Sequence, residues 1–130
     1  MSIAVRCSEM GVTHVVAAFD GSDSARGALA DAAAIAQEWG ARLTVLALAP
    51  TERPARCCNL QTTSWNAEMR RLAAGDLRRA RSLLDGVDAE FVMREGCGRR
   101  ALARAAEQLG GDLLVQGGRR HTRRRALLSR

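Results

Sequence analysis

The chain predicts an α/β fold: a doubly wound parallel sheet of about four strands with helices on both faces. Two observations carry this. Short apolar runs that lack polar alternation, as strands buried on both faces do, recur between segments whose apolar residues step by three and four. Three of those helical segments also stop at a glycine (Gly40, Gly86, Gly110), and a strand begins within one to three residues of each.

The first strand is HVVAAF, His14 to Phe19, ending in the turn Asp20-Gly21-Ser22. A helix follows, with Ala28, Leu29, Ala32, Ile35, Ala36 and Trp39 on one face; Ser22 or Asp23 caps its first N–H groups, and Gly40 takes the left-handed stop. Leu43 to Leu48 is strand two, and Ala49 to Ser64 reads as a long loop opened by Pro50. Met69, Leu72, Ala73, Leu77, Ala80, Leu84 and Val87 mark a second helix, whose Arg70, Arg71, Arg78, Arg79 and Arg81 form an outer basic face. Strand three falls near Ala89 to Met93. Gly96-Cys97-Gly98 turns into a third helix carrying Ala101, Leu102, Ala105, Ala106 and Leu109, and strand four is Asp112 to Gln116. In such sheets ligands sit beyond the carboxyl ends of the strands, where strand order reverses. That directs attention to the loops at 20–22, after Leu48, at 96–98 and at Gly117-Gly118.

A chain of 130 residues is one domain, 1–130, able to bury about two-thirds of its unfolded surface. Residues 1–12 read as a short arm and 119–130 as an Arg-rich segment. The core must be Ala, Leu and Val, since only 3% of residues are aromatic. No apolar run approaches the roughly 20 residues of a membrane span, and the start lacks a secretory pattern, so the expected location is the cytoplasm with reduced cysteines. All 20 basic residues are Arg, and the heavy Ala and Arg usage points to a GC-rich, bacterial genome. Six of the arginines lie in the last twelve positions, so the tail supplies the whole net charge of +6.

The stretches HVVAAFDGSDSARGALADAAAIAQEWGARLTVLAL and FVMREGCGRRALARAAEQLGGDLLVQGGRR, in this order and spacing, resemble universal stress proteins over residues 14–118, apart from the loop at 50–64. The resemblance implies an adenine nucleotide alpha hydrolase-like fold and a non-catalytic stress-response or regulatory role. It places Ala18, Asp20 and Leu48 at positions that contact the nucleoside, and Gly117 and Gly118 at the start of the phosphate loop. Nucleotide-binding members continue as Gly-x-x-Gly, nine residues, then Gly-Ser or Gly-Thr. Here those later glycine positions hold Arg120 and Arg130. ATP is thus the cofactor the resemblance offers, with binding weakened or lost, and Arg119 and Arg120 are the candidate phosphate contacts by charge. The family's final strand, which commonly pairs two subunits, is expected to be missing, leaving a homodimer by that edge in doubt and a protein partner open.

Each candidate also has a plainer reading. Asp20 before Gly-Ser is a turn former and helix cap, Gly117-Gly118 a simple turn, and Cys97 a filler near a helix start. Adjacent Cys57 and Cys58 suit no tetrahedral metal, and His14 and His121 lack a nucleophile partner, so neither a metal site nor an enzyme is expected. The alternative function is a basic module that presents residues 119–130 to nucleic acid or an acidic protein. Without interleaved aromatics, the solvated helix face is preferred over nucleic acid.

Overall fold

A computed structural model describes residues 12–51 and 59–117. Among these, strands and helices alternate: β1 (His14–Ala18), α1 (Asp23–Trp39), β2 (Arg42–Ala49), α2 (Asn59–Leu83), β3 (Glu90–Glu95), α3 (Gly98–Gln108) and β4 (Leu113–Val115). The four strands form one parallel sheet in the order β3-β2-β1-β4. Gly40, Gly86 and Gly110, which end the helical segments, stand at φ of 64°, 85° and 81°.

Handedness explains where the helices go. The chain steps from β1 to β2 to β3 in one direction and then returns past both to β4. A right-handed crossover therefore puts α1 and α2 on one face and α3 on the other. The core follows this division. Val15, Ala17 and Val45 pack under Ala28, Leu29 and Ala32 of α1, whereas Val16, Leu46 and Leu114 pack under Leu102, Ala105 and Ala106 of α3. Alternate residues of β1 thus feed separate cores, which is why Val15, Val16 and Ala17 are all fully buried and why the run shows no polar alternation.

Two expectations change. The long loop expected up to Ser64 is shorter, because α2 already begins at Asn59. Asn, Gln, Thr and Ser are indifferent helix formers, but each costs only about 0.7 kcal/mol or less against Ala. Extending a formed helix gains one hydrogen bond per residue. The basic face of α2 is also not simply solvated. Arg70 Nε bonds Glu95 Oε2 of β3 at 2.6 Å, Arg81 lies 4.5 Å from the centroid of Phe91, and Arg79 pairs with Asp76. The first two anchor α2 to the outer strand of the sheet.

At the opposite end of the strands from the site, a polar string crosses three of them inside an apolar sheet. His14 and Thr44 are buried, with His14 Nε2 and Thr44 Oγ1 2.6 Å apart. Arg42 Nη2 lies 3.2 Å from His14 Nδ1. A guanidinium only donates, so Nδ1 accepts and the Nε2 hydrogen goes to Thr44, whose hydroxyl in turn points to Glu90 Oε1 at 3.5 Å. Beside it, the Asp112 carboxylate ties the start of β4 to β1, accepting from Thr13 N at 2.8 Å, Thr13 Oγ1 at 2.5 Å and His14 N at 3.1 Å.

Candidate functional site

β1 lies between β2 and β4, and the chain leaves its carboxyl end toward one face of the sheet while approaching β4 from the other. The crevice that this reversal opens is where such sheets take ligands. It is shaped first by the turn after β1. Asp20 Oδ1 accepts the Ser22 N–H at 3.0 Å, and the Ser22 hydroxyl oxygen accepts the Ala25 N–H at 3.2 Å, capping α1. The same short motif therefore makes the turn and starts the helix. Ser22→Ala is expected to cost about 1 kcal/mol of stability, read from urea unfolding, as loss of an N-cap does.

Hydrogen bonds from Ser22, its side chain first and then its backbone N–H, hold the Asp20 carboxyl below its usual range against the opposing effect of burial. Asp20 is therefore an anion at neutral pH and able to accept hydrogen bonds. The turn is buttressed from α2, an arrangement no sequence motif announces. Gly21 sits at φ 85°, and a Cβ there would lie 2.8 Å from Arg79 Nη2 and 3.0 Å from Asp76 Oδ1. A side chain at this position would meet both the left-handed backbone and the ion pair. Burial, opposed by Arg79 and reinforced by the charge of Asp20, leaves the Asp76 carboxyl above its usual range.

The crevice is a cavity of about 300 Å³. Ala18, Asp20, Leu48 and Gly117 all line it, so four residues singled out from the sequence meet in one place. Ser24 and Ala25 from the start of α1, and Arg99 and Leu102 from α3, complete walls that the sequence reading did not name. Gly117 brings the end of β4 directly onto the first turn of α1. Gly118, Arg119 and Arg120 lie outside the described residues, as do Cys57, Cys58 and the segment 119–130 of the alternative reading. Cys97 is exposed at the N-cap of α3 and its side chain makes no cap bond. Among the described residues, no three His, Cys, Asp or Glu side chains gather as a metal ion would need. No described helix is long and apolar enough to cross a membrane.

The universal stress protein family model matches residues 11–130. The chain belongs to the universal stress protein family. Among solved structures of the family, UspA from Lactobacillus plantarum is 20% identical, with a TM-score of 0.70 over 82% of this chain and 77% of that one. A family protein from Burkholderia pseudomallei is 26% identical, with a TM-score of 0.61 over 91% and 89%. A universal stress protein in complex with cAMP is 28% identical, with a TM-score of 0.61 over 81% and 75%. Among curated proteins no sequence matches the chain. The family and its parallel α/β fold are thus as the two quoted stretches imply.

Proposed function

We propose that this chain is a non-catalytic regulatory domain of the universal stress protein family that keeps the nucleoside end of the nucleotide site while its hold on phosphate is weakened. The observation that supports this is the cavity itself: Ala18, Asp20, Leu48 and Gly117 converge on it at the reversal of strand order. Its volume of about 300 Å³ stands at the small end of ligand pockets, which run from about 300 to 1,000 Å³. Leu46, Leu48 and Leu102 offer an apolar wall to a flat base, and ionised Asp20 offers an acceptor to amino or hydroxyl hydrogens. The relative solved with cAMP lends the ligand class.

Regulation rather than turnover fits the chemistry of this lining. Asp20 is held ionised by Ser22 and is a poor proton donor near neutral pH. Among the described residues neither a histidine nor a second carboxylate lines the cavity to serve as its partner.

The test is titration of the purified protein with a fluorescent adenine nucleotide at low and at physiological salt, beside Asp20→Ala. Saturable binding that persists in salt and weakens about tenfold in the variant is the expected result, the size of a lost hydrogen bond to a charged group. Binding that fades with salt and ignores Asp20 would place the function in protein or nucleic-acid contacts instead.

A further inference from the structure

We infer that Arg99, at the start of α3, takes the anionic group of the ligand, so that the cavity reads a nucleoside carrying phosphate rather than a bare nucleoside. The inference rests on the nucleoside-binding reading above and adds to it a residue and a discrimination.

The lining carries two charges among its described residues, and they come from separate walls. Asp20 follows β1 on the side of α1, and Arg99 stands on α3, which covers the opposite face of the sheet. Ala18, Leu46, Leu48 and Leu102 line the same cavity. A matching ligand carries hydrogen-bond donors, an apolar or flat part and an anion. Asp20 would repel that anion, so the anion's place is beside Arg99.

Arg99 is also uncommitted among the described residues. Whereas Arg70, Arg71 and Arg79 each hold a carboxylate, Arg99 makes no hydrogen bond or ion pair among the described residues, although it stands over a cavity containing an aspartate. Its five N–H donors in a planar fork suit phosphate oxygens, and among the described residues no partner has to be given up to meet them. Since the side chain is exposed, the gain is that of a solvent-screened pair and falls with salt.

The experiment is calorimetric titration with adenosine and with AMP of the wild-type chain, Arg99→Gln and Arg99→Lys, at low salt, with thermal melts to confirm that the variants fold. Wild type is expected to bind AMP about fivefold tighter than adenosine, the upper reach of an exposed charge pair. Arg99→Gln should bind AMP no tighter than adenosine, and Arg99→Lys should keep part of the preference. A preference for AMP that survives intact in Arg99→Gln, or wild type that binds adenosine and AMP equally, would overturn the role of Arg99 and leave nucleoside binding standing. A wild-type chain that binds neither would overturn both.

Discussion

Gly117→Ala is expected to destabilise the ligand-free domain by up to about 3 kcal/mol, seen as a lower urea midpoint with an unchanged slope. An added Cβ would lie 2.7 Å from the Ser24 carbonyl carbon, 2.8 Å from its oxygen and 2.9 Å from Ala25 N. These are backbone atoms, and they belong to a helix turn already fixed by the Ser22 cap. The collision cannot be relieved by turning a side chain; either β4 or the start of α1 must shift. Because Gly117 also lines the cavity, nucleotide binding should fall in the same variant. The melt without ligand separates the two effects: wild-type stability in Gly117→Ala would mean that the end of β4 does not press on α1.

Asp112→Ala is expected to cost about 2 kcal/mol, because Thr13 N, Thr13 Oγ1 and His14 N lose their common acceptor and β4 loses its side-chain tie to β1. The pH dependence follows. Burial is the largest single influence on the Asp112 carboxyl and pushes it up. The hydrogen bonds from Thr13 and His14, together with a smaller electrostatic pull from His14, outweigh burial and hold it below its ordinary value of 3.8. A group depressed in the folded state stabilises fully above its unfolded pKa and loses that contribution as pH falls through the folded one. Wild type should therefore hold this contribution down to about pH 4 and lose it progressively in more acid solution. Asp112→Ala should show a flatter acid limb in urea midpoints measured from pH 6 to pH 2. Parallel limbs in the two proteins would rule out the assigned role.

The architecture was legible because it rests on local signals that tertiary packing reinforces. HVVAAF had to be a strand buried on both faces, and Gly40, Gly86 and Gly110 punctuate the helices where the left-handed stops are found. Asp20, Ala18, Leu48 and Gly117 could be placed at one end of the sheet because strand ends in a parallel sheet share a side. What escaped has no local signature. Residues 59–64 lack apolar periodicity, and their helix is an extension of one nucleated further on. Arg79 and Asp76 meet Gly21 only because α2 crosses beside the β1 turn, 55 residues earlier for Asp76. Arg99 looks in the sequence like one more arginine of a basic chain. Its place in the cavity depends on the reversal that sends α3 to the other face.

The string from Arg42 through His14 and Thr44 to Glu90 bears on a different matter, the uniqueness of the strand alignment. VVAA in β1 and LTVLALA in β2 are so uniformly apolar that sliding one past the other by two residues would keep every side chain on its own face. Burial alone scarcely tells these alignments apart. Hydrogen bonding does: one slide sets Val16 opposite Arg42 and parts His14 from Thr44, while the other sets His14 opposite Thr44 and draws it two residues away from Arg42. Four polar side chains at one end of the sheet thus act as an index mark. They select the single alignment that brings Ala18, Asp20 and Leu48 to the same rim at the other end.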